Sequence, residues 1–423
     1  MMQSSKLAEE IVVQFMSRLP PKALMRFKCI RKSWYNLINS PSFVAQNLSY
    51  SMNNKFTSST CILSKHTVLK DGNITDRNEI LDILTYGNND KQQILLSLLN
   101  LCNDHNGDDQ ELFSVIKDNF IVPFPFDKCS LSLKIAGHCD GIICLVNVED
   151  VALCNPSIKE FNHLPKSCLL LPPKNWDDYE NEDDYYEALE SESNAVGFGY
   201  DSKANVYKVV RIVQFTSGYV FTSHPSRVEV YTLGANCWRE IKADVLVSTV
   251  CWSPSFEMYF KGIYYWDAYS YLTPRQYKDG ILAFDMSDEL FYLIYHPETT
   301  REFNKSLAVW KESIALITYE GDAPKCFDLW LNEDSSCFKG LWTKYFTIGP
   351  VEVEIPLVFW KSNEILMVNA DKHIVSYNLD TQTLKCLPMH GVEDPEYIYA
   401  IIYVSSIISV NRDNKLECTT TSI

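Results

Sequence analysis

An internal repeat with a period near fifty residues constrains the fold of this 423-residue chain more than any other feature. In each copy a strand-like segment leads after four residues to a polar residue that favours turns, and a large apolar residue follows six positions later. The polar turn residues of the four clearest copies are Asn155, Thr232, Asp285 and Asn378. The large apolar residues that follow them are Phe161, Trp238, Phe291 and Leu384. The pattern predicts a strand–turn–strand hairpin in every copy, with matched inward positions.

The spacing of the copies predicts a β-propeller. Thr232 and Asp285 are 53 residues apart, and a looser fifth copy places Asn332 in a turn 47 residues further on and 46 before Asn378. The distance from Asn155 to Thr232 is longer, but it is about fifty residues when an insertion near 166–192 is left out. A period of this length is typical of kelch repeats, in which each repeat forms one four-stranded blade.

The inner half of each blade is expected upstream of its hairpin. The candidate inner segments are 141–147, 207–213, 261–269, 313–319 and 364–370. With a further blade from residues 55–126, the pattern predicts a mainly β, kelch-like β-propeller with six blades favoured and seven as the other count. The apolar stretch 397–410 is expected to close the ring by joining the last blade to the first. The alternative fold is a β-sandwich.

The first fifty residues have a helical pattern instead. Apolar residues recur at helical spacing from Leu7 to Ile38, Pro20 and Pro21 separate the first helix from the second, and Pro41 is expected to close a third. About forty residues are usually too few for a helical unit to keep its own core. The remaining apolar face is therefore expected to be buried by a partner. The alternative is a helical cap that only packs on the β-domain.

Charge divides the chain at the same place. Residues 1–50 hold seven Lys or Arg against two acids, whereas the whole chain carries −16, which leaves −21 for residues 51–423. So acidic a body would repel nucleic-acid phosphates and suits a basic protein partner. We predict two domains, a helical one at 1–50 and a β-domain for substrate recognition at 51–423.

The insertion is acidic and contains tyrosines. Residues 177–192 hold nine acids, interleaved with tyrosine. Such runs are usually solvated or disordered, but acid and tyrosine together also suit a contact surface for a Lys/Arg-rich protein. The candidate substrate-binding residues are Asp177, Asp178, Tyr179, Asp183, Asp184 and Tyr185.

No catalytic or metal-binding pattern stands out. The eight histidines are dispersed, and there is neither a His-Glu-x-x-His motif nor a Cys-x-x-Cys pair. Cys139, Cys144 and Cys154 are close in sequence, but their spacing favours core strands over zinc ligands. The fourteen cysteines are scattered and predicted to be reduced, and no apolar run reaches the length of a membrane span. We therefore expect no catalysis, no cofactor, no metal and no membrane partner.

The helical segment and the repeat together resemble the plant F-box proteins that carry a type 1 F-box-associated domain, over nearly the whole chain. The helical segment shares these short sequence motifs with the family: Leu19-Pro20, Leu24, Arg26-Phe27-Lys28-Cys29, Lys32-x-Trp34, Leu37-Ile38 and Ser40-Pro41. The usual Leu-Pro at the start of the motif is Leu7-Ala8 here. The motifs shared by the β-domain include Asn155-Pro156-Ser157, Gly197-Phe198-Gly199-Tyr200-Asp201, Cys237-Trp238-Arg239-Glu240 and Phe284-Asp285-Met286-Ser287. Within this group the chain is most similar to S-locus F-box proteins.

The resemblance implies a non-catalytic substrate-recognition subunit of a Skp–cullin–F-box ubiquitin ligase. Its partners would be a Skp-type adaptor and, through it, the cullin and RING subunits. The residues expected to bind the adaptor are Leu7, Ile11, Phe15, Leu19, Pro20, Leu24, Phe27 and Trp34. The substrate would be a basic protein, a non-self S-ribonuclease in pollen self-incompatibility, which is ubiquitinated and degraded by the proteasome. The implied location is the cytoplasm, that of the pollen tube for an S-locus member, with the nucleus as a second location.

Other functions are compatible with the same sequence. One alternative is an F-box adaptor of this family that recognises another plant protein. A second alternative is an F-box scaffold that directs no degradation. A propeller that binds a sugar or small molecule is a further alternative, because aromatic side chains can stack on such ligands. The aromatic residues considered for that role are Tyr264, Tyr265, Trp266 and Tyr269.

Overall fold

The computed structural model describes most of the chain from residue 10 to residue 411. The described residues are 10–53, 59–69, 92–104, 112–122, 133–147, 150–172, 178, 184–185, 188–217, 222–235, 237–242, 244, 249–251, 253, 256–273, 276–297, 303–321, 324–332, 340–371, 373–387 and 400–411.

The N-terminal part folds into four helices. They are α1 (residues 10–16), α2 (Pro21–Lys28), α3 (Lys32–Ile38) and α4 (Pro41–Asn53). Pro21 opens α2, because the first turn of a helix needs no N–H from its first residue. The third helix ends before Pro41, as predicted, but Pro41 also opens α4, a fourth helix that was not predicted. Helix α4 runs through Asn53 and so crosses the predicted domain boundary at residue 50.

The remaining described residues form mainly antiparallel strands, grouped in six sheets. Sheet I contains β1 (Ser59–Leu69), β2 (Gln92–Asp104), β3 (Leu112–Ile121) and β25 (Ile401–Tyr403). Sheet II contains β4 (Lys134–Cys139), β5 (Ile142–Val146), β6 (Val151–Asn155) and β7 (Glu160–His163). Sheet III contains β8 (Glu190–Asp201), β9 (Val206–Ser217), β10 (Thr222–Thr232) and β11 (Trp238–Ile241).

Sheets IV to VI follow the same plan. Sheet IV contains β12 (Thr249–Cys251), β13 (Met258–Phe260), β14 (Ile263–Thr273), β15 (Gln276–Asp285) and β16 (Phe291–Tyr295). Sheet V contains β17 (Asn304–Trp310), β18 (Ser313–Tyr319), β19 (Lys325–Asn332) and β20 (Trp342–Val351). Sheet VI contains β21 (Val353–Lys361), β22 (Glu364–Asn369), β23 (Ile374–Asn378) and β24 (Thr383–Cys386). Sheets II to VI are thus each built from consecutive strands.

The register of the outer strands confirms the predicted hairpins, but the predicted inward positions are only partly matched, because Trp238 and Phe291 are buried, Phe161 is half-buried and Leu384 is exposed. In four sheets the residue before the turn-former pairs with the large apolar residue after it. The four pairs are Cys154–Phe161, Tyr231–Trp238, Phe284–Phe291 and Tyr377–Leu384. The side-chain oxygens of Asn155, Asp285 and Asn378 accept hydrogen bonds from the backbone N–H two residues on, at 3.0, 2.7 and 2.9 Å. A short polar side chain is needed at these positions because it closes the turn.

Neighbouring sheets pack against one another in a ring. Sheets II and III touch through their first strands β4 and β8, sheets III and IV through β8 and β12, and sheets V and VI through β17 and β21. Sheet IV contacts β17 of sheet V through β13, and β21 of sheet VI contacts β25 of sheet I. Each neighbouring pair also shares a buried apolar cluster. The ring closes where Tyr403 and Ile401 of sheet I pack with Ile143 and Leu145 of sheet II. Because every sheet is covered by the next one around a circle, the arrangement is that of a β-propeller, and the alternative of a β-sandwich is wrong.

Sheet I joins the two ends of the β-domain. Strand β25 pairs antiparallel with β1, with Cys61 opposite Tyr403 and Leu63 opposite Ile401. This pairing confirms that the C-terminal apolar stretch contributes the closing strand, although the strand holds only three residues. Residues 404–410, which we call the strap, then leave the sheet without forming regular structure.

The strap is held by side chains of the β6–β7 hairpin. The Asn155 amide donates hydrogen bonds to the carbonyls of Ser406 and Ile408, at 3.1 and 2.9 Å. The Asn162 amide donates to the carbonyl of Val410 at 2.8 Å. Since the strap is buried and outside any sheet, these side chains supply hydrogen-bond partners that a neighbouring strand would otherwise give.

The strap also docks the helices on the β-domain. Ile407 lies in the apolar core of the helices, together with Leu24 and Ile38. Its neighbour Ile408 belongs to the cluster between sheets II and III, against which Val44 of α4 packs. Consecutive strap residues therefore contribute to the helical core and to the propeller core, so the two parts share one continuous packing arrangement.

Burial places one titratable group in an unusual state. His296, after β16, is 8% exposed, and neither of its ring nitrogens has a hydrogen-bond partner among the described residues. Burial, assisted by the charge of Lys305, lowers the pKa of His296 to about 3. The folded protein therefore keeps this imidazole neutral at pH values where the unfolded chain, with a histidine pKa of about 6.5, binds a proton.

A first prediction concerns the strap. Replacing Ile407 with Ala should lower the free energy of unfolding by about 2–5 kcal/mol, because it leaves a cavity between the helices and the β-domain. Denaturant unfolding measures this loss, and limited proteolysis should show earlier cleavage within the helices. Leu384→Ala, at an exposed position, should change stability by less than about 1 kcal/mol. Equal stability of the two variants would mean that the helices are not docked through Ile407.

A second prediction concerns His296. Because its folded-state pKa is lowered, the wild type should lose stability as the pH falls from about 6.5 toward about 3, at up to about 1.4 kcal/mol per pH unit. His296→Phe should lack this part of the pH dependence. The measurement is the free energy of unfolding of each protein at pH 7 and at pH 5, and the fall between the two pH values should be smaller for His296→Phe than for the wild type. His373→Gln, at an exposed position, serves as the control and should follow the wild type. A His296→Phe curve parallel to the wild type would contradict the assignment.

Candidate protein-interaction surfaces

The helices keep a second apolar face that the β-domain does not cover. Ile11 and Phe15 of α1 are 59% and 64% exposed, and Ile30 and Tyr35 around α3 are 60% and 53% exposed. The opposite sides of the same helices supply the buried residues that pack around Ile407. Helices with apolar residues on both sides need two neighbours, and the β-domain provides only one.

The residues predicted to bind an adaptor divide between these two faces. Ile11 and Phe15 lie on the exposed face, Pro20 is exposed, and Leu19, Phe27 and Trp34 are half-buried; Leu7 lies outside the described residues. Leu24 is the correction, since it is 0% exposed. It packs inside the helical core and stabilises the helices instead of offering a contact surface.

The sequence prediction missed Ile30 and Tyr35. Both lie beside the residues that carry the helical pattern rather than on it, so they were not distinguished from polar surface positions. The signal that identifies them is a large apolar side chain off the inward stripe, next to Trp34, Leu37 and Ile38.

Aromatic packing joins α2 to α3 on this side. The rings of Phe27 and Trp34 lie 5.4 Å apart between their centres. The guanidinium of Arg31 lies 4.5 Å from the centre of the Trp34 ring, at cation–π distance. These contacts hold the exposed residues of the two helices in a fixed relation.

The stretch between Leu171 and Leu189, which we call the acid–tyrosine segment, is partly described. Asp178 and Asp184 are exposed and Tyr185 is half-buried, whereas Asp177, Tyr179 and Asp183 lie outside the described residues. The chain leading into the segment packs on sheet III, where Leu169 joins a cluster with Val213 and Phe215.

Both ends of this segment are anchored on the propeller. The Leu171 N–H donates a hydrogen bond to Ser191 Oγ at 2.7 Å, which joins the chain before the segment to strand β8 after it. Leu171 and Leu189 on either side of the segment are exposed. The acidic residues therefore lie between two chain ends that are held on sheet III by apolar packing and a hydrogen bond.

The segment and the helices lie at opposite ends of their sheets. The apolar core of the helices packs against Ile158, which lies in the turn between β6 and β7. His163, which precedes the segment, pairs with Ala152 at the other end of sheet II, and Glu190, which follows it, pairs with Thr216 next to the β9–β10 connection. An adaptor bound to the helices would therefore leave the ends of the acidic segment accessible.

A buried ion pair supports the base of the segment. Arg211 and Glu229 are almost fully buried, with 3.3 Å between Arg211 Nη1 and Glu229 Oε1. Glu229 also accepts hydrogen bonds from the backbone N–H and the thiol of Cys168, at 3.1 and 3.2 Å. Burial and the Glu229 carboxylate raise the pKa of Cys168 to about 11, so the thiol is not reactive at neutral pH. The cluster is structural: removing either charge would leave the other buried and unpaired.

A second charged cluster joins sheets III and IV. Lys208 Nζ lies 2.7 Å from both Asp201 Oδ2 and Glu289 Oε1, and it donates to the Met286 carbonyl at 2.9 Å. Burial alone would raise the pKa of Asp201, but hydrogen bonds from Lys208, the backbone N–H of Ala204 and Ser287 lower it to about 2. A carboxylate held this firmly in its charged form links sheets and is poorly suited to proton transfer.

Three of the four aromatic residues considered for ligand stacking are in the core, and the fourth, Tyr269, is half-buried. Tyr264, Tyr265 and Trp266 are 0% exposed, which corrects the alternative of an aromatic ligand site at these positions. The Tyr264 hydroxyl donates a hydrogen bond to Glu257 Oε2 at 3.0 Å, and burial holds the pKa of Glu257 well above its usual range. These groups stabilise the packing around β13 and β14.

The cysteines follow the prediction only in part. Cys139, Cys144 and Cys154 are buried in sheet II and have free thiols, as expected for core residues. Cys237 is disulfide-bonded, contrary to the prediction of reduced cysteines throughout. In the part of the chain that the structure describes, no group of three or more His, Cys, Asp and Glu side chains is arranged to hold a metal ion. Within the same residues, no helix combines the length and apolarity needed to cross a membrane.

Known proteins are similar to the chain in sequence. Residues 86–410 match a family described as the F-box associated beta propeller domain. The F-box protein CPR1 of Arabidopsis thaliana is 24% identical over 423 residues, which cover 94% of this chain and 88% of that protein. The F-box protein At4g22390 of the same plant is 24% identical over 432 residues, covering 94% and 89%.

Solved structures give a weaker likeness. An oligogalacturonate lyase in complex with manganese aligns with a TM-score of 0.37 and 8% identity, over 78% of this chain and 80% of that one. A similarity of this size does not bear on function. The family match, in contrast, spans well over half of the chain and includes all of sheets II to VI. The chain therefore belongs to the family of proteins with an F-box-associated β-propeller domain.

Proposed function

We propose that this protein is the substrate-recognition subunit of a Skp–cullin–F-box ubiquitin ligase, with residues 1–50 as the F-box. The observation that carries the proposal is the second apolar face of the helices, which remains exposed after the first has docked on the β-domain. Family membership and the F-box proteins among the relatives support the same assignment. An adaptor would accept this face in the way that a groove accepts an amphipathic helix.

The proposed adaptor contacts are the exposed and half-buried members of the predicted set. Ile11 and Phe15 are the principal anchors, and Phe27 and Trp34 extend the surface across α2 and α3. Through the adaptor, the protein would join the cullin and RING subunits. We add Tyr35 because it is exposed on α3 next to this surface.

The β-domain would hold the substrate. We propose that it forms one six-bladed, kelch-like ring, with each sheet as one blade, and that the acid–tyrosine segment supplies substrate contacts. The helices pack near the β6–β7 turn, and the anchored ends of the segment lie at the opposite end of the sheets. This arrangement leaves room for two partners at once. The protein would then act without catalytic residues of its own, by raising the effective concentration of substrate lysines near an enzyme supplied in trans.

The proposed substrate is a basic protein. A net charge of −21 on residues 51–423 would speed encounter with a cation, and contacts at the acidic segment would select among cations. We propose a non-self S-ribonuclease as this substrate, and an S-locus role in the pollen-tube cytoplasm, on the sequence resemblance. Another basic plant protein would use the same surfaces.

A third prediction tests the adaptor surface. Phe15→Asp should leave thermal stability nearly unchanged, because the side chain is 64% exposed. It should weaken binding of a purified Skp-type adaptor by at least about 30-fold, since it would place a charge in an apolar contact. Leu384→Asp, at an exposed position on β24, is the matched control and should bind like the wild type. Adaptor binding by Phe15→Asp at wild-type strength would contradict the assignment of this face.

A fourth prediction tests the acidic segment. Replacing Asp178 and Asp184 with Asn should slow association with a basic ribonuclease several-fold at about 0.05 M salt, and the difference should disappear near 1 M salt. The control replaces exposed Asp244 and Asp371 with Asn, which changes the net charge equally. Biosensor rates for several S-ribonucleases and a histone give the measurement. Equal rates for both double variants would make the segment solvated surface, and equal binding of every basic protein would contradict specific recognition.

A further inference from the structure

The exposed face of the helices is strongly basic as well as apolar. Among residues 10–53 there are six Lys or Arg and only one acid, Glu10. Five of the six basic side chains are exposed. These five are Arg18, Lys22, Arg26, Arg31 and Lys32. The sixth, Lys28, is half-buried near Glu160 of the β-domain, and burial lowers its pKa.

Three of the five exposed basic residues, Arg18, Arg26 and Arg31, lie three or four positions from the exposed apolar residues Phe15, Ile30 and Tyr35. The N–H of Arg18 donates to the carbonyl of Phe15 at 3.2 Å, and the N–H of Tyr35 donates to the carbonyl of Arg31 at 3.1 Å. Lys22 and Arg26 are four residues apart on α2. Residues three or four apart on a helix are neighbours on its surface, so Arg18 follows α1 beside exposed Phe15, and Arg31 lies beside exposed Tyr35 on α3.

These cations differ from those of the β-domain in having no carboxylate partner. Within the residues that the structure describes, none of the five forms an ion pair within 4.0 Å. In the β-domain, by contrast, ion pairs join basic side chains to carboxylates at many positions. The basic residues paired in this way include Lys208, Arg211, Arg227, Arg239, Lys305, Lys325, Lys344 and Lys361. The positive charge of the helices is therefore uncompensated within the described chain.

We infer that the partner surface that covers this face is acidic: an apolar groove with Asp and Glu side chains along its rim. The inference rests on the proposed function and specifies the chemistry of the adaptor surface. Arg31, held over the Trp34 ring at 4.5 Å, would place its charge at the edge of the apolar contact. Opposite charge at the rim of an interface chiefly speeds association and fixes orientation.

Charge segregation then sorts the two partners. An acidic adaptor is attracted to the helices and repelled by the −21 body, whereas a basic substrate is attracted to the body and repelled by the helices. Each partner thus meets a repulsive surface at the wrong site, which opposes incorrect binding. The same body charge disfavours the other polyanion that a basic face might bind, a nucleic acid.

The test uses the full chain and a purified Skp-type adaptor in stopped-flow or biosensor measurements. Arg26→Glu with Arg31→Glu should slow association at least about tenfold at 0.05 M salt, and the difference should shrink strongly near 1 M salt as screening shortens. Arg26→Gln with Arg31→Gln should have a smaller effect in the same direction. The matched control is Lys166→Glu with Lys242→Glu, which makes the same charge change at exposed positions of the β-domain. Circular dichroism melting checks that every variant is folded. If the double Glu variant is unfolded, the double Gln variant is used for the comparison with the wild type.

The outcomes separate the inference from the function on which it rests. If the adaptor binds the wild type but its association rate is independent of salt and equal for both Glu pairs, the inference is overturned and the proposed function stands. If the adaptor does not bind the wild type at any salt concentration, the proposed function fails, and the inference fails with it. Binding of heparin or RNA to the wild type as tightly as the adaptor, lost in Arg26→Glu with Arg31→Glu, would also overturn the inference.

Discussion

The contact between Asn155 and the strap is the interaction on which the rest of the structure depends. One side-chain amide donates to two carbonyls of the strap, while its oxygen accepts the N–H of Ser157 and so closes the β6–β7 turn. The strap continues directly from the strand that closes the ring and carries Ile407 into the helical core. Ring closure, helix docking and the orientation of the exposed helical face are therefore linked through a few buried polar contacts. An apolar residue at position 155 would leave strap carbonyls buried without partners.

Much of the β-domain was predictable because its determinants are local. A turn-former such as Asp285 must be a short polar residue, its strand partners are fixed by the turn, and the same offset recurs in four sheets. The inward and outward sides of the helices were not predictable in the same way. Leu24 and Phe15 both fit a helical apolar pattern, and the sequence does not show which of them packs in the core that includes Ile407, far along the chain. Pro41 was equally ambiguous, since a proline fits both after one helix and at the start of the next.

The charge distribution follows the same division between inside and outside. Across the β-domain, basic residues such as Lys208 and Arg211 are used to join strands and sheets, and their charges are compensated by carboxylates. On the helices the basic residues have no such use within the described chain and surround an exposed apolar face. The net charge of each segment was readable from the sequence, but whether each cation was compensated depended on the fold. A protein with two partners at opposite ends gains specificity when those ends carry opposite charge.

The central claim is that the helices have two apolar faces, one docked through the strap and one left for an adaptor. Hydrogen exchange of the full chain, with and without a purified Skp-type adaptor, tests it most directly. The account predicts slow exchange within 404–410 in both states, and new protection on adaptor binding confined to segments around Ile11–Arg18 and Ile30–Tyr35. Fast exchange within 404–410 in the free protein, or adaptor protection that appears on the β-domain and not on the helices, would contradict it.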